Sequence, residues 1–123
     1  MGRKVLVADD DRALTHLLST YLIEQGYDVS VAHDGDEALR KLEQEHPDLV
    51  VLDIVMPKVN GYSLLFAMRK IEGVIKTPVI VITSKPEMAD IFMVEGVREY
   101  MIKPVSPKDL ADNIRKHLAG GGL

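Results

Sequence analysis

Leu49-Val50-Val51-Leu52-Asp53 is the stretch that decides the fold: four consecutive apolar residues closed by a carboxylate. A strand with one wet face alternates apolar and polar residues, whereas a strand covered on both faces does not, so this run predicts a central strand of a parallel sheet. Lys4 to Ala8 and Val79 to Thr83 read the same way and join it at the sheet's centre. Asp28 to Ala32 and Glu99 to Ile102 are less uniformly apolar and complete a set of five strands. Longer segments of helical period lie between them. This alternation is the signature of an α/β fold, a doubly wound parallel sheet with helices on both faces.

The spacing predicts a first helix over about Arg12 to Gln25, with Leu14, Leu17, Leu18, Tyr21 and Leu22 along one stripe and Gly26 at its end. A second opens at Asp34, three residues ahead of Glu37 in a variant of the capping box, buries Ala38, Leu39 and Leu42, and stops before Pro47. A third spans about Tyr62 to Ile71 on Leu64, Leu65 and Met68. Pro86 to Glu95 is short, and Met88, Ile91, Phe92 and Met93 are only loosely periodic; it is read as helix. The last helix has Ser106 as cap, Pro107 in the first turn, Asp109 near the positive end of the dipole, and Leu110, Ala111, Ile114 and Leu118 on its inner face. Residues 1–119 form one domain. Residues 120–123, rich in glycine, read as a flexible tail or the start of a linker.

The length of 123 residues suits a single domain, which places any output module outside this chain. Fifteen Lys plus Arg against nineteen Asp plus Glu give a net charge of −4 and no local basic cluster, which argues against contact with nucleic acid or an anionic membrane. The absence of cysteine excludes disulfide scaffolds, thiolate metal sites and thiol nucleophiles. Arg3-Lys4 precedes only four apolar residues, Val5 to Ala8, before three aspartates intervene, too short a run for a signal peptide or a membrane span. The expected location is the cytoplasm.

In an open parallel sheet ligands bind beyond the carboxyl ends of the strands. The residues expected there are Asp9, Asp10 and Asp11 after the first strand, Asp53 at the end of the third, Thr83 and Ser84 at the fourth, and Lys103 and Pro104 after the fifth. Any one of these is unremarkable as a turn or cap residue. Their convergence on one rim is not. Carboxylates crowded at the end of apolar strands repel one another and need a cation. Asp9, Asp10 and Asp53 with Lys103 leave two negative charges, which a divalent ion balances, and hard oxygen donors without His or Cys favour Mg2+, with Mn2+ as a substitute. A metal, an ammonium and a hydroxyl aimed at one carboxylate are the equipment for phosphoryl transfer to oxygen, with Asp53 as nucleophile.

Val7-Ala8-Asp9-Asp10-Asp11, Val51-Leu52-Asp53-Ile54-Val55-Met56-Pro57 with Asn60-Gly61, Val81-Ile82-Thr83-Ser84 and Tyr100-Met101-Ile102-Lys103-Pro104 occur in this order across nearly the whole chain. Together they resemble the receiver domain of bacterial two-component response regulators. The resemblance implies a flavodoxin-like sheet in the order 2-1-3-4-5. It also implies that Asp53 takes a phosphoryl group from a sensor histidine kinase or phosphotransfer protein. Asp10, Asp53 and the backbone carbonyl of Val55 would hold the metal directly, and Asp9 would act through metal-bound water. Thr83 and Lys103 would bind phosphoryl oxygens, and a cis Lys103–Pro104 bond would aim the ammonium inward. Thr83 and Tyr100 would move as a switch, altering the face made by Pro86 to Glu95, the fifth strand and the last helix for a downstream target or a fused output domain. Val55 and Lys85 flank the site at positions associated with the lifetime of the aspartyl phosphate. Val55 has no polar group to orient water and implies slow loss, whereas Lys85 reads as a solvated loop charge.

The segment from Thr83 to Lys103 is a little shorter than is usual in the family, Asn60 stands in place of the commoner Asp, and Ser84 in place of Ala. The shortening motivates an alternative, a receiver-like interaction scaffold that works without phosphorylation. A Mg2+-dependent phosphatase of the haloacid dehalogenase type is disfavoured because it needs an Asp where Val55 stands, and a flavin carrier because three aspartates would repel the cofactor's phosphate. No turnover of a separate substrate is expected. Scattered His16, His33, His46 and His117 read as surface or helix residues, and Met56, Met68, Met88, Met93 and Met101 as core fillers.

Overall fold

The computed structural model describes residues 2–56, 61–84 and 97–121. Five parallel strands, β1 (Lys4–Ala8), β2 (Asp28–Ala32), β3 (Leu49–Asp53), β4 (Val79–Thr83) and β5 (Val97–Ile102), form one sheet in the order β2-β1-β3-β4-β5. Four helices are described: α1 (Arg12–Glu24), α2 (Gly35–Glu45), α3 (Gly61–Met68) and α4 (Pro107–Gly121). The predicted helix Pro86 to Glu95 lies outside the described residues, as do Pro57, Asn60 and Lys85.

The unbroken apolar strands sort their side chains between two layers by the two-residue period of a strand. Val5, Val7, Leu49, Val51, Ile80 and Ile82 face α1 and α4, where Leu18, Leu22, Leu110, Ile114 and Leu118 cover them. Leu6, Ala8, Val50, Leu52, Val79 and Val81 face the opposite side, under Ala38 and Leu42 of α2 and Leu64, Leu65 and Met68 of α3. Every residue of β3 and β4 is buried. This is why neither strand shows polar alternation.

Several element details differ from the sequence reading, each for a local reason. β5 starts at Val97 rather than Glu99, because the register shifts between Val79 and Ile80, which pair with Val97 and Glu99. That irregularity absorbs Arg98 and hides the strand's true start from a pattern search. In α1 the buried stripe is Thr15, Leu18 and Leu22, and Leu17 is 52% exposed. The helix is rotated so that Leu14 and Tyr21 flank the contact. α2 ends because His46 adopts the left-handed conformation at φ 47°. Pro47 acts through it, by disfavouring the right-handed helical region at the residue before proline. α3 closes at Met68, and the chain then tightens through Lys70 N–H to Ala67 O and Ile71 N–H to Met68 O. Arg69 Nη1 donates to the carbonyls of Ile75 (2.7 Å) and Thr77 (3.2 Å), holding the connection to β4.

Two polar caps position the strand-to-helix turns near the rim. Asp11 accepts the Leu14 amide at 3.1 Å and opens α1. Asp34 accepts the Glu37 amide at 2.8 Å, while Glu37 reaches back to the amide of His33 rather than of Asp34 itself. Each such cap is worth about 1 kcal/mol. Among the described residues no helix is long and apolar enough to cross a membrane.

Candidate active site

The register fixes what meets at the carboxyl rim. Ala8 pairs with Leu52, so Asp9 emerges beside Asp53; Asp53 pairs with Ile82, so Thr83 rises just beyond it; Thr83 pairs with Ile102, so Lys103 follows. The Lys103 amide donates to Thr83 O at 2.7 Å, and the Lys103–Pro104 peptide is cis.

Lys103 Nζ stands 2.7 Å from Asp9 Oδ2 and donates to Asp53 Oδ2 at 3.2 Å. The contact to Asp9 is an ion pair whose angle falls outside hydrogen-bond geometry, so the buried Asp9 Oδ2 keeps an acceptor direction free of any aligned donor. The other oxygens are held by the backbone: Asp9 Oδ1 accepts the Asp11 amide at 2.9 Å and Asp53 Oδ1 the Val55 amide at 3.1 Å. Asp9 and Thr83 are fully buried and Asp53 nearly so, whereas Asp10 is exposed. Ligand oxygens of Asp9, Asp10 and Asp53 all lie within 4.8 Å of one another.

Burial is the largest influence on Asp53 and pushes its carboxyl above the usual range; the Val55 amide pulls it back, neighbouring Asp9 raises it again, and Lys103 lowers it. For Lys103 burial alone would lower the value, but the close ion pairs with Asp9 and Asp53 outweigh it, and the ammonium is held above its ordinary range. The site therefore contains a firmly charged cation and a carboxylate whose ionisation is costly until a further positive charge arrives.

Asp9, Asp10, Asp53 and Lys103 are brought together, with Thr83 at the end of the neighbouring strand. Asp11 turns away to cap α1 and stands outside the acidic cluster. Val55, at the exit of β3, is 46% exposed beside the Asp53 carboxylate that its amide holds. Tyr100 is half-buried, packs against the layer under α2 and α3, and pairs with Val81. Lys85 lies outside the described residues. His33 is half-buried in the turn after β2, with Nε2 3.0 Å from Thr15 Oγ1, and His117, on α4 as read, is half-buried with Nε2 3.8 Å from Glu99 Oε2.

With this rim in place, the sequence matches the response regulator receiver domain family over residues 5–115. The chain belongs to that family. This receiver domain is 42% identical over 118 residues to the probable transcriptional regulator ycf27 of Cyanophora paradoxa, covering 94% of this chain and 48% of that protein. To the alkaline phosphatase synthesis transcriptional regulatory protein PhoP of Bacillus subtilis it is 38% identical over 117 residues, covering 94% and 48% respectively. The receiver domain thus spans about half the length of these curated relatives. Among solved structures, a CheY-like response regulator receiver domain protein of Methanospirillum hungatei superposes with a TM-score of 0.89 at 30% identity, over 98% of this chain and 96% of that one.

The receiver domain's donor set fits a hard divalent cation. It offers carboxylate oxygens only, one of them buried with a free acceptor direction, and carries an excess of negative charge after Lys103 is counted. The acidic triad can hold a metal.

Proposed function

We propose that Asp53 accepts a phosphoryl group, from the phosphohistidine of a sensor histidine kinase or phosphotransfer protein, and that Mg2+ is the metal the triad holds for this step. The observation that carries the reading is the shared ammonium: Lys103 Nζ bridges Asp9 Oδ2 and Asp53 Oδ2 on the rim where Asp10 completes the triad. Asp9, Asp10 and Asp53, with the carbonyl of Val55, would hold Mg2+, which supplies positive charge opposite the transferring oxygens.

A carboxylate oxygen of Asp53 attacks phosphorus as the bond to the donor's imidazole nitrogen breaks; the electron pair leaves on that nitrogen, which regains a proton. The Val55 amide holds the carboxylate's orientation throughout. Lys103 exchanges part of its attraction to Asp53 for attraction to phosphoryl oxygens, and its raised proton affinity keeps it cationic. Thr83, buried at the end of β4, donates its hydroxyl to a phosphoryl oxygen. Its shift toward the phosphoryl group opens space for Tyr100, and the surface around β5 changes for a partner or an output domain beyond this chain. The domain in this way catalyses its own phosphorylation and dephosphorylation and turns over no other substrate.

Incubation with a small-molecule phosphodonor and Mg2+, read by intact-protein mass, tests this. A gain of one phosphoryl group that Asp53→Asn abolishes supports the reading. No gain from any donor, with the fold intact, overturns it and leaves the phosphorylation-independent scaffold.

A further inference from the structure

The fold gathers cations at the opposite end of the sheet that show no clustering in the sequence. Arg3 before β1, Lys76 before β4, Arg98 in β5 and His117 in α4 line one cavity of about 500 Å3 with Asp48, Pro78 and Leu118. That volume lies within the range of small-molecule sites, about 300–1,000 Å3. Three permanent cations face one carboxylate, an excess of two positive charges in a domain whose net charge is −4.

The opposing groups are accounted for. Asp48 accepts the Lys4 amide at 2.7 Å through the same oxygen that Arg3 Nε approaches at 3.6 Å, so it is largely committed to the backbone. Glu99 lies 3.8 Å from His117 Nε2 and does not line the cavity. His117 Nε2 is buried without an aligned hydrogen-bond partner among the described residues. Lys76 and Arg98 are exposed and take part in no ion pair among the described residues. Their charges are uncommitted, and the cavity's remaining lining, Pro78 and Leu118, offers no competing acceptor side chain.

We infer that this cavity is a second binding site, for a small oligophosphate-bearing anion. Arg3 and Arg98 supply planar guanidinium donors that suit phosphate oxygens, and Lys76 a point charge. A singly charged carboxylate would leave the excess unbalanced; a phosphate-bearing anion of two or more negative charges does not. The site is separate from the rim of Asp53, since its residues sit at the amino ends of the strands and Asp53 at a carboxyl end. Bound there, the anion contacts β5 and α4, the strand that leads into Lys103 and the helix that follows it.

Titration of the 15N-labelled, metal-free domain with inorganic pyrophosphate, and separately with a nucleoside triphosphate, tests the site by two-dimensional NMR at physiological salt. The expected result is a saturable set of shifts confined to residues around 3, 48, 76, 98 and 117, weakened at least about tenfold in a Lys76→Ala/Arg98→Ala double variant. Saturation by pyrophosphate alone identifies the inorganic oligophosphate as sufficient, and tighter binding of the nucleoside triphosphate assigns a role to the organic moiety; both support the site. Both substituted side chains are exposed, so the variant keeps the wild-type melting temperature, and a lowered one is answered by repeating the titration with Lys76→Gln/Arg98→Gln. Shifts centred on Asp9, Asp10 and Asp53, no saturable shift with either probe, or affinity unchanged in the variants would overturn the inference.

Discussion

Replacing Lys103 by Met keeps a side chain of similar length and removes the one cation that two buried carboxylates share. At an effective dielectric constant of about 20, the contacts of 2.7 Å to Asp9 and 3.2 Å to Asp53 correspond to attractions of about 6 and about 5 kcal/mol. Desolvation of the ammonium and the carboxylates cancels the larger part. Breaking a buried pair from one side costs about 3–5 kcal/mol, and the 21% exposure of the Lys103 side chain reduces this to about 2–3 kcal/mol. For a domain of this size that is a fall in Tm of about 8–12 °C. The assay is thermal unfolding followed by circular dichroism at pH 7 in EDTA. Saturating Mg2+ should recover part of the deficit, because a metal cation takes over charge that the ammonium supplied. In an Asp53→Asn background the cost of Lys103→Met should shrink by about 1–2 kcal/mol, the coupling expected of neighbours. A Lys103→Met variant that melts within about 1 °C of the wild type, or a cost unchanged in the Asp53→Asn background, would refute the shared-cation account.

Other outcomes follow from the same geometry. Asp53 has a carboxyl held above its unfolded value, so the folded state binds the proton more tightly; stability falls as pH rises from the unfolded to the raised folded value, and the penalty is complete above the latter. Asp53→Asn should therefore raise Tm at pH 7 and leave it nearly unchanged below the carboxylate range, as a series of melts across pH would read. Adding Mg2+ should raise the wild-type Tm in a saturable way, by about 2.7 kcal/mol of stability at a hundred times Kd, and Asp10→Asn should move the saturation to higher concentration. Val55→Asn places a water-orienting amide beside Asp53, and decay of the phosphorylated protein should quicken; a rate unchanged or slower counts against the role given to Val55. Leu110→Ala, at a fully buried position under β4, should cost about 2–5 kcal/mol in urea unfolding without preventing phosphorylation.

The fold was legible because four of the five strands announce themselves directly. Lys4 to Ala8, Leu49 to Asp53 and Val79 to Thr83 lack polar alternation, and Asp28 to Ala32 sits between well-marked helices. What escaped depends on contacts between segments. The start of β5 is disguised by Arg98, which sits in a register irregularity that only pairing with β4 creates. Leu17 looks like a core residue by spacing, but the angle at which α1 lies on the sheet selects Thr15 instead. The active rim was legible in composition, since carboxylates crowded at the ends of apolar strands repel one another unless a cation joins them. Its charge balance was legible too, with Asp9 and Asp10 assigned to the metal and Asp11 left out, whereas the cap that Asp11 forms on the Leu14 amide is a backbone contact seen only in the fold. The basic cavity was invisible, because Arg3, Lys76, Arg98 and His117 come from four separate segments.

Strands of five or six residues separate the two ends of the sheet by about 16 Å, roughly twice the screening length at physiological ionic strength. A charged molecule approaching this domain thus responds to the nearer pole and hardly to the farther one. Its net charge of −4 is a poor guide to encounter. The aspartate end repels a negatively charged donor and draws cations, the arginine end does the reverse, and the gradient between them exerts a torque that turns the domain before contact. Raising the salt concentration should slow the capture of cations at one end and of anions at the other together, though the visitors carry opposite signs.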